Sequence, residues 1–294
     1  RNEKLLFLDK GFNLLEVASG IVPQGKIVTA VAESWKFAWK RMMAELAPQD
    51  ETGAYQRPTY TFTGTLEDDK WENYHVYTGN PCPWCHRVVL AIKILGIDGQ
   101  IGWTVLQDNP RKASRGGWIF SESQPDRVFE CRDLRQLYDK LSPGYSGRCT
   151  APLLVNVRTG KILSNESSDI VRMLNNAAKG TLVPDDLQTF IDETNEWVYR
   201  LLNNGVYRCG FATTQAAYDV ASADVRQGLQ LCQERLSKSD YLCGKTFTEA
   251  DLRLLPTAAR FDGAYAPLFK AGGTHLRIRD YPAIDAWLKR CWKL

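Results

Sequence analysis

Two cysteines at Cys82 and Cys85, in the run Asn80-Pro81-Cys82-Pro83-Trp84-Cys85-His86-Arg87-Val88, could serve more than one chemistry. As C-x-x-C-H they match the attachment site of a c-type haem, and as C-x-x-C between a strand and a helix they match a thiol redox site. Covalent haem needs a second axial ligand and usually a compact helical shell, whereas this run follows a predicted strand in a mixed α/β pattern. Structural zinc needs two more ligands at comparable spacing. His86 adjoins the pair, but His75 and His275 sit in no ligand pattern, and Cys131, Cys149, Cys209, Cys232, Cys243 and Cys291 stand isolated. The plain alternative is a pair of inert core thiols, since free cysteine is often buried.

The thiol reading carries a mechanism. Pro83 suits the first position of a helix, which sets Cys82 at the helix start, where unsatisfied N–H groups and the macrodipole favour an anion. Such settings lower a cysteine pKa from ~8.5 to roughly 3.5–7.5, so the attacking thiolate is abundant at neutral pH. Cys85 lies one turn on, on the same face, within reach of a disulfide formed at Cys82. The helical register turns His86 away from Cys82.

The elements around the pair follow from periodicity. Tyr74 to Tyr77 reads as a strand, Pro83 to Leu95 as a helix ended at Gly96, and Ile101 to Leu106 as a second strand. Gln107 to Arg132 has no period and reads as a long binding loop. Asp133 to Leu141 is helical, Leu153 to Val157 and Lys161 to Ser164 are strands, and Ser167 to Asn176 is a helix. Beyond Pro184 the strands stop. Phe190, Ile191, Thr194, Trp197, Val198, Leu201 and Leu202, and later Val225, Leu229, Cys232 and Leu236, hold helical spacing. Thr248 with Asp251 three residues on is a capping box, with Phe247 and Leu252 as its hydrophobic staple. The order βαβαββα followed by helices predicts an α/β thioredoxin-like domain and then an all-α domain. The boundaries read as 1–70 for an N-terminal extension, 71–184 for the thioredoxin-like domain and 185–294 for the helical one. In the extension, Val31, Trp35, Ala38, Met42 and Leu46 mark an amphipathic helix, expected to pack on the globular body, and Pro48 to Trp71 an extended connector.

Composition limits the partners. In 294 residues, 44% apolar, 37 basic side chains face 34 acidic ones, and a net charge of +3 gives no pull toward nucleic acid. Apolar runs fall short of the ~20 residues of a spanning helix. Eight scattered cysteines suit a reducing intracellular compartment, cytoplasm or plastid stroma, rather than a disulfide-stapled scaffold. The start at Arg1 points to a processed or engineered N-terminus.

Six stretches together, NPCPWCHRV, GGWIFS, YSGRCTAPLLV, SNESSDIVRML, NNGVYRCGF and TEADLRLLPTAARFDGAY, resemble the cysteine-type glutathione transferases. The nearest likeness is to the Xi class of glutathionyl-hydroquinone reductases and the related Iota class. The resemblance spans roughly Trp71 to Trp292. It implies glutathione as cosubstrate, no metal and no haem, and chemistry through a mixed disulfide at Cys82. It implies a cis proline at Ala151-Pro152, with the Ala151 backbone pairing the cysteinyl amide of glutathione, and Glu166 and Ser167 holding its γ-glutamyl end. Trp118 and Arg148 match further glutathione contacts, and Tyr207 and Tyr265 match tyrosines that face the nucleophile and help with proton transfer.

Two departures qualify the likeness. Xi members typically carry alanine where this chain has Cys85, and CPWC suits the Iota class. The chain also stops at Leu294 without the C-terminal extension of Xi enzymes, so dimerisation stays open and a piece of a larger protein fits as well. The expected activity is glutathione-dependent reduction of hydrophobic or aromatic glutathionyl adducts, of glutathionylated thiols, or of dehydroascorbate. A dithiol oxidoreductase cycling between Cys82 and Cys85 without glutathione, and a non-catalytic binding module, are the competing readings.

Overall fold

The computed structural model describes residues 24–68, 70–111, 116–273 and 275–294. Residues 1–23 of the expected extension lie outside the described residues. Helix α1, Gln24–Leu46, forms where the amphipathic period predicts it. Among its described side chains the expected packing on the body is not seen: Val28, Val31 and Trp35 are 60%, 65% and 74% exposed. A helix of this length closes its own backbone hydrogen bonds and needs no partner for that purpose.

Residues 47–64 then run as a strap between the two halves of the molecule. A turn on Asp50, whose Oδ1 accepts the N–H of Thr52 and of Ala54, brings Gly53 against the helical half. There the Gly53 carbonyl accepts the Thr213 N–H at 3.0 Å. At the other end Gly64 N–H donates to the Leu163 carbonyl at 2.8 Å.

The sheet comprises β1 (Tyr74–Gly79), β2 (Gly102–Asp108), β3 (Trp118–Ile119), β4 (Leu153–Asn156) and β5 (Lys161–Ser164), in the order β3-β2-β1-β4-β5. Strand β1 pairs parallel with β2 and antiparallel with β4. Strand β3, which pairs antiparallel with β2, lies inside the stretch the sequence leaves as loop. Two residues are too few to show a period.

Alternation splits the strand side chains between two layers. Val76 and Leu154 join Val88 and Ile92 of α2 (Pro83–Ile94) and Ile170 and Leu174 of α4 (Ser167–Ala177) on one face. Tyr77, Leu153 and Val155 join Leu134, Leu137 and Tyr138 of α3 (Leu134–Leu141) on the other.

The second half is helical throughout its described elements: α5 (Gln188–Trp197), α6 (Gly205–Phe211), α7 (Gln215–Leu236), α8 (Glu249–Arg260), α9 (Ala266–Phe269) and α10 (Pro282–Cys291). Helix α5 runs on through Val198–Asn203 with π geometry, a widening that apolar spacing alone does not reveal. The predicted capping box opens α8: Asp251 Oδ2 accepts the Thr248 N–H at 3.1 Å, while its Oδ1 accepts the Trp287 indole N–H at 2.9 Å.

Helix α8 also joins the halves. Leu252 is fully buried in the layer of Val88 and Ile170, and buried Glu249 accepts from Arg172 of α4 and from Arg253. Among the described residues, no helix is long and apolar enough to cross a membrane.

Candidate active site

Cys82 ends a tight turn off β1, its N–H bonded to the Gly79 carbonyl at 3.1 Å, and stands as the N-cap of α2 ahead of Pro83. Its sulfur accepts the Cys85 N–H at 3.3 Å and lies 3.5 Å from the Ala151 carbonyl. The hydrogen bond offered by the Cys85 thiol pulls the Cys82 pKa below the ordinary thiol value against the opposing effect of burial. The N–H groups of Cys85 and Trp84 and the charge of Arg57 act in the same direction. Cys85 is 1% exposed, and burial pushes its thiol well up, with the negative sulfur of Cys82 adding to the rise. The two thiols are therefore moved apart, Cys82 downward and Cys85 upward, beyond the helix-end effect predicted from spacing. His86 does turn away, to Arg260, with Nδ1 3.0 Å from Nη1.

A cleft of about 820 Å³ opens over Cys82 between the two halves. Cys82, Trp118, Arg148, Ala151, Pro152, Glu166, Ser167 and Tyr207 all line it. Cys85 and Tyr265 do not; they lie behind Cys82 and Tyr207. The Ala151-Pro152 bond is cis.

One end of the cleft is polar. Glu166, not Ser167, caps α4: its Oε1 accepts the Ser168 N–H at 3.2 Å and the hydroxyls of Ser167 and Ser168. Ser167 is thus no ordinary N-cap serine. Its hydroxyl oxygen accepts from Arg87 Nη1 at 3.3 Å. Arg87 is 2% exposed, and burial pulls its pKa down to about 9.

The opposite wall is aromatic. The Trp84 ring stacks on Tyr207 at 6.0 Å and 23°, and Tyr207 meets Phe211 at 6.0 Å and Phe269 at 5.8 Å. Burial pushes Tyr207 well above the usual phenol value and raises Tyr265 as well, so both keep their protons at neutral pH.

Trp118 closes one side, its ring resting on the backbone of Gly79. Tyr145 donates to the Arg148 carbonyl at 3.1 Å and fixes that turn. Sequence reasoning missed the contribution of the strap: Tyr55, Arg57 and Tyr60 also line the cleft. An irregular Gly- and Pro-rich stretch has no period that would point them inward. Among the described residues, no group of His, Cys, Asp and Glu is placed to hold a metal ion.

Comparison with known proteins agrees with this architecture. The pattern described as "Glutathione S-transferase, N-terminal domain" matches residues 81–177, and "Glutathione S-transferase, C-terminal domain" matches 215–290. Glutathionyl-hydroquinone reductase YqjG of Escherichia coli (strain K12) is 40% identical over 247 residues, 81% of this chain and 74% of that protein. The crystal structure of the glutathione-S-transferase Xi from Phanerochaete chrysosporium superposes with a TM-score of 0.77 at 35% identity, over 83% of each chain. The glutathione-bound structure of YqjG gives 0.71 at 38% identity, over 82% of this chain and 79% of that one. The chain belongs to the glutathione S-transferase family, among the relatives of its Xi class.

Proposed function

We propose that the protein is a glutathione-dependent reductase that removes glutathione from glutathionylated compounds through a mixed disulfide at Cys82, with aromatic adducts of the glutathionyl-hydroquinone kind as its best substrates. The observation that carries this reading is the position of Cys82: a partly buried residue that lines the cleft, its thiol pKa lowered, lies between a polar pole at Glu166 and Ser167 and an aromatic wall at Trp84 and Tyr207. The name of the 40% identical relative and the glutathione in its solved structure support it.

The tripeptide is read as lying along the cleft floor. Glu166 takes the γ-glutamyl ammonium, and Ser167 with the start of α4 takes the carboxylate. The Ala151 backbone pairs with the cysteinyl amide, Arg148 meets the tripeptide backbone, and Trp118 closes over it.

In the first step the Cys82 thiolate attacks the glutathione sulfur of the adduct. The S–S bond forms, the bond from sulfur to the aromatic carbon breaks, and the leaving group takes that electron pair and a proton. Tyr207, backed by Tyr265, donates the proton. A second glutathione thiolate then attacks the mixed disulfide, releasing glutathione disulfide and restoring Cys82. Overall, one glutathione and one adduct give glutathione disulfide and the reduced compound. The same scheme accepts glutathionylated thiols, with the freed thiol as leaving group, and it accepts dehydroascorbate once a first glutathione has added to its carbonyl as a thiohemiketal, so that two glutathiones give glutathione disulfide and ascorbate.

The dithiol alternative needs Cys85, 1% exposed and with its thiol pushed up by burial, to ionise and open the mixed disulfide itself. Assay of Cys82→Ser with glutathionyl-menadione and with a glutathionylated peptide tests the proposal. Turnover should fall at least about 1,000-fold on both, and undiminished turnover refutes it.

A further inference from the structure

We propose that Arg57, carried into the cleft by the 47–64 strap and docked on the Trp84 ring, is a positioning residue that holds the Cys82 sulfur in its thiolate form. This rests on Cys82 being the nucleophile, and it gives the N-terminal extension a part in the chemistry.

Placement comes first. The strap is fastened on both sides of Arg57. Thr214 Oγ1 donates to the Thr52 carbonyl at 2.7 Å, and Tyr55, 8% exposed, sets its ring edge against Phe211 at 5.3 Å. Beyond Arg57, Gly64 is bonded to Leu163 of β5. Between these fastenings Arg57, Pro58, Thr59 and Tyr60 face the cleft that holds Cys82. The guanidinium carbon lies 4.0 Å from the centroid of Trp84, two residues along from the nucleophile, and Nη2 lies 4.0 Å from Glu166 Oε2. With its side chain 26% exposed, Arg57 is partly withdrawn from water, so its field is screened less than that of a surface cation.

Charge balance comes second. Trp84 carries a further cation, Arg87, at 4.4 Å. The hydrogen-bond acceptors of Arg87 are the Ser167 hydroxyl, the Asn203 amide oxygen and the Arg253 carbonyl, all uncharged. Two guanidinium groups on one indole, against a carboxylate at Glu166, leave positive charge in excess beside the start of α2. An anion at Cys82 balances that excess. The indole of the Cys-Pro-Trp-Cys run is in this sense a platform for cations as well as a wall for substrate.

The titratable and charged groups around Cys82 are Cys85 and His86 on its own helix, Arg57 on the strap, Tyr207, Tyr265 and Arg260 from the helical half, and Arg87, with Glu166 reached through Arg57. Of these, Arg57 and the Cys85 thiol favour the thiolate, and the charge of Arg57 also draws the phenol of Tyr207 downward.

The experiment measures iodoacetamide alkylation of Cys82 against pH, read by mass spectrometry of the Cys82 peptide, in the full chain and in Arg57→Met and Arg57→Lys. In Arg57→Met the midpoint should move up by about half to one pH unit, lowering alkylation about three- to tenfold below both midpoints. The acid limb of kcat/KM for glutathionyl-menadione should move with it. Arg57→Lys, which keeps the charge, should recover at least half of the shift. An unmoved midpoint in Arg57→Met overturns the proposal, as does a lysine variant no better than methionine, which would mean that Arg57 only braces the strap. The wild-type profile separates this from the function itself: a wild-type Cys82 that does not ionise near neutrality removes the mixed-disulfide reading and Arg57 with it, whereas a normal profile unmoved in Arg57→Met removes the role of Arg57 alone.

Discussion

The hydroxyls of Tyr207 and Tyr265 lie 3.2 Å apart, with Tyr207 on the cleft and Tyr265 behind it. Burial keeps both protonated, so Tyr265 can donate to Tyr207 while Tyr207 donates to a leaving group. Tyr207→Phe removes the donor that faces substrate. Its kcat on glutathionyl-menadione should fall about 10- to 100-fold, near the low end of general-acid effects because water reaches an open cleft. Tyr265→Phe leaves that donor in place and should cost about threefold or less. Equal losses in the two variants would contradict this order.

Cys85 gives a prediction that separates support from resolution. Its thiol hydrogen-bonds to the Cys82 sulfur and is itself held protonated by burial. Cys85→Ser retains a hydroxyl donor, so turnover with glutathione should stay within about threefold of wild type. Cys85→Ala removes the donor, and the alkylation midpoint of Cys82 should rise, slowing the reaction most at acid pH. Loss of glutathione-dependent turnover in Cys85→Ser would instead make Cys85 the resolving thiol.

How much of this was legible in the sequence depended on whether a signal was local. The Cys82 N-cap, the Pro83 start of α2 and the Thr248–Asp251 box lie within one turn of chain, and the structure has them where spacing puts them. The strands β1, β4 and β5 were legible because each runs for four or more residues. Strand β3, with two residues, was not. Motif likeness pointed to Trp118, Arg148 and Tyr207, and they converge on one cleft although they lie far apart in the chain. Arg57 had neither period nor motif. Its place is set by hydrogen bonds from Thr213 and Thr214, some 160 residues away, and no local reading reaches that far.

The buried carboxylate of Glu249 should be the most stability-sensitive charge at the junction of the halves. It is 0% exposed, with Arg172 Nη2 and Arg253 Nη2 each at 2.7 Å and Asn195 Nδ2 at 3.0 Å. Glu249→Gln keeps the shape but leaves two guanidinium groups facing a neutral amide. Breaking a buried pair from one side costs about 3–5 kcal/mol. Urea unfolding of the variant should show a lower midpoint with an unchanged slope, and a difference under about 1 kcal/mol would contradict this account.

His75 sets an acid limit on stability. It is half-buried beside Thr104, with Nε2 2.9 Å from Oγ1, and burial pulls its pKa from 6.5 down to about 4. The unfolded chain therefore binds a proton at higher pH than the folded one. The neutral ring is without penalty above pH 6.5, and stability is lost as pH falls from 6.5 toward 4, by about 3 kcal/mol in full. His75→Gln cannot take up that proton. Its Tm should fall less than that of wild type between about pH 7 and pH 4.5, and parallel declines would show that other groups carry the acid sensitivity.

Gly79 links the nucleophile to the indole of Trp118 that closes one side of its cleft. A Cβ at this position would stand 2.2 Å from Trp118 Cζ3 and 2.5 Å from Cη2, too close for any side chain. The Gly79 carbonyl, on the same residue, holds the N–H of Cys82. In Gly79→Ala the indole can swing away or the turn ahead of Cys82 can shift, and the two responses read out differently. Trp118 is an edge residue of a two-residue strand, whereas Cys82 is fixed by α2, so the indole should give way. The expected result is a KM for glutathione raised about tenfold with the Cys82 alkylation midpoint unchanged, and a stability cost of about 1–3 kcal/mol from overpacking. A normal KM with a raised alkylation midpoint would mean that the turn moved instead, and that Trp118 is held by more than its contact with this glycine.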